Sequence, residues 1–324
     1  MFRVGNVTQE RIVFSFALIL LIAFAIFLPG FSAAGNLLAL IRSVSVLGIL
    51  GVAMALVVLG RGIDLSLVSV MAMSLAWSFD LIAKGTSLAA GLAIGLASSI
   101  LVGLGNGFLV AFVEIPAVFA TLAMGTLIYG AGRYFLIDLD VVYLRGSGES
   151  IAWIGAGRAW GVPVPVIIFA LVCAMAALFL RYAKAGYFIR AIGDNYHASR
   201  ITGLPVRPII VMQYVLSAII GFLAGLVTTT SVASMNTRIA LSTFVYDIIL
   251  VVVLGGIGLS GGRGGIRNVI VGTLLIGILI NGMTILDIQY TVQNVIKSVI
   301  LLAAIVADTI INPRDEQTAQ QGDI

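Results

Sequence analysis

Histidine and cysteine occur once each in this chain, and only 10% of its residues carry charge. Each shortage excludes something. A single cysteine, Cys173, closes no intrachain disulfide and builds no thiolate cluster; it stands inside an apolar run as ordinary packing. A single histidine, His197, makes no metal site without carboxylates beside it, and it falls in a polar loop. With the two so scarce and so far apart, a membrane-embedded enzyme would lack its nucleophile and base. No Gly-Lys pair occurs anywhere, so the G-x-x-x-x-G-K-[ST] loop that cradles nucleotide phosphates is absent. The net charge of +4 comes without a basic stripe, which argues against a nucleic-acid partner. No small-residue cleavage site follows the first apolar run, 12–29, which is preceded by Arg3 and Arg11; it reads as a retained helix rather than a signal peptide.

What is present is apolar. Hydrophobic residues make up 60% of the chain, more than a soluble domain of this size could hide. Thirty-seven glycines accompany them, spread with alanine and serine through the apolar runs. In lipid, such small residues let helices approach closely, and packing replaces the missing hydrophobic drive. Counting runs of roughly 20 apolar residues gives ten spans: 12–29, 37–59, 63–83, 88–113, 115–137, 162–181, 208–230, 244–260, 265–286 and 291–311. The expected fold is therefore all-α, a polytopic bundle of about ten transmembrane helices, broken or re-entrant near 60–66 and 255–265. Ten spans put both termini on one side. Placing them in the cytoplasm assigns eleven of the 18 Lys and Arg residues inside, five of them in the stretch 181–207. The longest outer segment is then 138–161.

Three polar interruptions carry the chemistry. Gly60-Arg61-Gly62-Ile63-Asp64-Leu65-Ser66 breaks what could be one helix. Non-helical backbone at membrane depth survives only where protein or a cavity surrounds it, and an acid there is a functional candidate. The alternative is a tight interfacial turn with Asp64 capping the next helix. Lys184 to Pro205 forms the basic loop. In it Asp194 or Asn195 can cap a short helix, Tyr196 to Thr202 supply two turns, and Gly203 with Pro205 ends it. Val252 to Gly265 contains a formal G-x-G-x-x-G at Gly256, Gly258 and Gly261. It lacks the βαβ context and the acid about 20 residues on, so a dinucleotide site is excluded. Val57-Val58-Leu59-Gly60 recurs as Val252-Val253-Leu254-Gly255, and Asn106-Gly107 as Asn281-Gly282, a faint echo of two related halves. Asn106, Thr121 and Asn281 lie within spans, either hydrogen-bonding between helices or, with Asp64 and Ser66, lining a path for a polar solute. Arg133 and Arg238 lie near outer span ends, where they could anchor at headgroups or meet an acidic partner.

These motifs resemble, in order, those of the permease subunits of ribose-type sugar ATP-binding-cassette importers, over about residues 10–312. The loop residues Ala191-Ile192-Gly193, Asn195, Ala198, Ser199 and Gly203-Leu204 resemble the family's coupling loop, with Ser199 for its second alanine and Leu204 for isoleucine. The stretch 60–66 resembles the family's G-G-I-D-L-S, with Arg61 for the second glycine and Leu67-Val68 for its Val-Gly. The segment Ile115 to Gly125 and the glycine turn 255–265 resemble two further blocks, with Ala123 where a glycine is usual. The resemblance implies a cytoplasmic segment over 1–11, a permease domain over 12–311 with its coupling loop at 182–207, and a disordered cytoplasmic tail over 312–324. It implies a bacterial inner-membrane location and no bond chemistry in this chain. ATP and Mg would be held by a partner ATPase, expected to be a double cassette. A periplasmic sugar-binding protein and a second permease copy or paralogue would complete the assembly. Gly193, Asn195, Ala198, Ser199 and Gly203 would meet the ATPase, and the substrate would be a pentose, hexose or polyol. An ion-coupled carrier using Asp64 or Asp247 is the rival reading, and a related amino-acid permease another; the Gly-Ile-Asp-Leu-Ser stretch argues for sugar.

Overall fold

A computed structural model describes residues 9–311; the expected terminal segment before Gln9 and the tail after Ile311 lie outside the described residues. Helices dominate: α1 (Gln9–Phe27), α2 (Ala34–Val58), α3 (Leu67–Ala83), α4 (Leu88–Ala111), α5 (Ala117–Ala131), α6 (Trp153–Ala156), α7 (Val164–Tyr182), α8 (Lys184–Asp194), α9 (Tyr196–Ile201), α10 (Val206–Val232), α11 (Phe244–Leu254), α12 (Ile266–Ile285) and α13 (Tyr290–Ile311). Seven of these, α1, α2, α4, α7, α10, α12 and α13, are long and apolar enough to cross a bilayer. Helices α3 and α11 are apolar but shorter, and α5 runs on into a π-helical turn, Gly132–Leu136. The all-α membrane bundle stands.

Helix α2 is the core of the bundle. Every residue from Leu47 to Val58 is buried, and α10, α12, α7 and α11 pack around it. It is apolar all round, as a helix enclosed on every side must be. Helix α4 works differently. Its buried residues are Gly91, Gly95, Ser99, Gly103, Asn106, Gly107 and Ala111. Six of them recur every four residues and form one ridge of small side chains. A Cβ on Gly103 would sit 2.8 Å from the Tyr214 carbonyl of α10, and one on Gly107 would sit 2.6 Å from Val211 Cα. Backbone touches backbone there, the close approach that small-xxx-small spacing permits.

Two expectations need correction. The span 244–260 is not one helix: α11 stops at Leu254, because Gly256 and Gly261 adopt left-handed φ of 96° and 80° and turn the chain. At 1.5 Å per residue α11 is about 16 Å long, half of a ~30 Å hydrocarbon layer. The basic loop is also more ordered than expected, since α8 forms ahead of α9. Its signal was the helical spacing of Gly186, Ile189, Ile192 and Gly193, all buried on one face.

At the opposite end, strands appear that periodicity did not indicate. β1 (Val141–Tyr143) pairs antiparallel with β4 (Ser234–Asn236), Val142 opposite Met235, and β2 (Arg158–Ala159) pairs with β3 (Val162–Pro163). Arg133 and Arg238 both reach Asp140, at 3.0 and 2.7 Å. A carboxylate of this chain thus engages both arginines.

Candidate functional site

Asp64 organises the first half of the site. It is 1% exposed, in the turn between α2 and α3. Oδ1 accepts from the Ser66 amide at 3.1 Å and from Ser66 Oγ at 2.6 Å. Oδ2 accepts from Ser217 Oγ of α10 at 2.8 Å. Ser66 Oγ in turn accepts from Asn106 Nδ2 at 2.7 Å. Thr121 Oγ1 accepts from the Leu65 amide at 3.0 Å and donates to Ala117 O at 2.7 Å. A charge in a dry interior needs such donors, because bare burial is costly. Of the five residues expected along a solute path, Asp64, Ser66, Asn106 and Thr121 therefore meet in one network. Asn281 does not join it. That side chain pairs with Asn36 in two hydrogen bonds of 3.0 and 2.9 Å, near the opposite ends of α12 and α2.

Ser217 and Tyr214, whose hydroxyl donates to Ile63 O at 3.4 Å, are members that sequence reasoning missed. Both sit in a long apolar helix, and only their shared face with Gln213, which donates to Leu56 O, marks them out. Ser217 lies about 16 Å along α10 from its start, so the turn reaches well into the bundle. Asn106 Oδ1 is buried without a hydrogen-bond partner among the described residues. A separate cavity of about 310 Å³ lies between α3, α4 and the π-turn. Its walls include Val70, Met73, Trp77, Val102 and Phe135, and none of the five expected residues lines it.

The second half of the site is where the three sequence motifs meet. Arg61 stands at φ 70°, a left-handed conformation that costs a side-chain-bearing residue about 1–2 kcal/mol. Its guanidinium donates to the Gly193 and Asp194 carbonyls, each at 2.9 Å. Those are last-turn carbonyls of α8, which no helical amide can reach and which favour a cation. The Gly262 amide of the glycine-rich turn donates to Leu59 O at 2.9 Å. A Cβ on Gly193 would collide with Leu59 O and Gly262 N. The motifs at 60–66, 190–195 and 255–265, far apart in the chain, thus form one knot at one end of the bundle.

Helix α9 projects from this knot. Asn195 Oδ1 caps it by accepting the Ala198 amide at 2.8 Å, so the cap is Asn195 rather than Asp194. Gly203 ends it at φ 81°. Ser199 is buried against its root, while His197, Ala198 and Gly203 are exposed and Ile201 is 86% exposed. Asp247, a buried acid of α11, is held by Lys297 at 2.7 Å. Among the described residues no three His, Cys, Asp or Glu side chains gather where they could hold a metal ion.

Sequence comparison names the kind of protein that carries this buried polar turn and capped helix. Residues 36–306 match the family described as branched-chain amino acid transport system / permease component. The chain belongs to this permease family. It is 33% identical over 302 residues to the ribose import permease protein RbsC of Escherichia coli strain K12, covering 90% of this chain and 91% of that one. It is 31% identical to the RbsC of Haemophilus influenzae, covering 95% of each. It is 31% identical to the L-arabinose transport system permease protein AraH of Escherichia coli strain K12, covering 90% of this chain and 87% of the relative. No solved structure matches. The permease is a multi-pass membrane protein, and the resemblance drawn from its motifs to ribose-type permeases holds.

Proposed function

We propose that this permease is the membrane-spanning subunit of an importer that takes up a monosaccharide, a pentose, hexose or polyol, driven by ATP hydrolysed on a separate subunit. The relatives named for ribose and L-arabinose support the sugar class. The observation that carries the motor side is α9: it stands exposed off the bundle while its root, Gly193 to Asn195, is tied to the turn that holds Asp64. A motor that moved α9 would move the polar network with it.

In this reading Asn195, Ala198 and Gly203, which are exposed, face a double-cassette ATPase that holds ATP and Mg, while Gly193 and Ser199, expected at that contact, are buried and seat the helix from within; this chain needs no cofactor of its own. Asp64, Ser66, Asn106 and Thr121 border the sugar path, and each is at most 1% exposed, so the path is shut in this conformation. Asn106 Oδ1 offers a sugar hydroxyl an acceptor. Asn281, with Asn36, would serve the opposite mouth. A periplasmic binding protein would deliver sugar at the face bearing β1 and β4, and a second permease would complete the pore. Both termini then lie on the cytosolic side of a bacterial inner membrane.

The test is uptake of labelled ribose or L-arabinose into liposomes holding the permease with its ATPase and binding protein. Uptake should require ATP inside the motor compartment. In the same assay Gly203→Leu should keep ATP hydrolysis and lose most uptake. A Cβ at Gly203 meets nothing within 4 Å, so the change acts by straining the backbone that shapes α9. Uptake that survives removal of the ATPase and follows an ion gradient would reject the proposal.

A further inference from the structure

We infer that Arg61 is a positioning residue for coupling: its guanidinium is the link through which movement of the α8–α9 loop reaches the turn that holds Asp64. This rests on the motor-driven reading above and names the residue that reading leaves open.

Three independent features converge on it. The first is reach. Arg61 lies three residues before Asp64 in the same turn, and its side chain ends on the Gly193 and Asp194 carbonyls, immediately before the cap of α9. One residue therefore touches both moving parts. The second is strain. Arg61 holds a left-handed φ of 70°, which glycine would adopt freely. A side chain kept at such a position against its backbone preference points to a use for the side chain. The third is confinement. A Cβ on Gly261 would lie 2.8 Å from Arg61 Cγ and 3.0 Å from Arg61 N, so the glycine-rich turn closes over the stem. The stem is thus held under the glycine-rich turn, while the half-exposed guanidinium ends on the α8 carbonyls.

The fork geometry matters. Arg presents several N–H groups in a plane, and here two of them hold successive carbonyls of a helix end; a lysine ammonium would carry the charge without the fixed direction. When α8 tilts or shifts, those carbonyls draw the guanidinium, and the stem draws the backbone at 61–64. The Asp64 bonds to Ser66 and Ser217 lie next along that backbone.

The experiment compares wild type, Arg61→Gly and Arg61→Lys in the reconstituted complex, reading ATP hydrolysed per sugar imported. Glycine suits the φ and removes only the side chain. A structural role would lower both rates together and leave the ratio alone. The expected result is a several-fold higher ratio for Arg61→Gly and an intermediate one for Arg61→Lys. An unchanged ratio overturns the inference. Hydrogen exchange of the detergent-solubilised permease gives a second readout independent of any partner. Arg61→Gly should deprotect residues 62–66 and 193–203 while α4 and α10 keep their protection; uniform loss throughout, or none, overturns it. If wild-type uptake needs no ATP, the functional reading fails, and the exchange pattern still decides whether Arg61 links the two segments.

Discussion

Asp64 has no basic side chain among its hydrogen-bond partners; hydroxyls and an amide hold it instead. This makes each hydroxyl expensive to remove. Ser217→Ala removes the hydroxyl that donates to Oδ2 and should cost about 1–3 kcal/mol, the usual penalty for stranding a buried polar atom. Ser98→Ala is the control, since Ser98 Oγ only returns to Gly95 O of its own helix. Unfolding midpoints in mixed micelles should separate the two; equal midpoints would mean that Ser217 does not hold the turn. Asp64, Asn106 and Thr121 were legible in the sequence because a polar residue in a greasy run announces itself. Ser217 was not, because a serine that bonds its own helix and one that bonds across helices read alike. Arg61 was visible as a departure from glycine, but its partners lie some 130 residues away, and no local pattern reports that distance.

Among the elements, α4 carries the clearest message from sequence to packing. Its ridge of glycine, serine and alanine at every fourth residue meets α3 at one end and α10 at the other. Gly107→Val would drive a branched side chain into the α10 backbone at Val211, and should destabilise the permease by about 1–3 kcal/mol as overpacking does. Gly130→Val on α5, where a Cβ meets nothing within 4 Å, should be close to neutral in the same denaturation assay. Helix positions were readable from apolar runs, and the ten expected spans correspond to helices. Their ends were less so. The break near 255–265 was expected from its glycines, but the span 244–260 was drawn too long, because glycine is both a packing residue and a turn residue and hydropathy does not tell these uses apart. The β1–β4 pairing was unreadable for another reason: its strands are three residues each, too short for an alternation to register.

Across the whole molecule, the two ends are organised differently. One end is knotted by three segments around Arg61 and Gly193. The other is tied by a two-strand ladder and by Asp140 between two arginines. Helix α13 lies outside this scheme, with little of its surface buried. It joins α11 through the Asp247–Lys297 pair and through Thr243, whose hydroxyl bonds Asn294 at 3.1 Å. Lys297→Met should strand Asp247 and cost about 3–5 kcal/mol, whereas pairing it with Asp247→Leu should restore most of the loss. Thermal unfolding of the single and double variants in detergent checks this; a double variant no better than the single would show that the pair is not what binds α13. The same pair sets an order on biogenesis. Asp247 is threaded into the bilayer 50 residues before the ribosome reaches its counter-charge. A chain cut short ahead of Lys297 would leave Asp247 without its counter-charge, so α11 is seated with a satisfied acid once α13 is beside it.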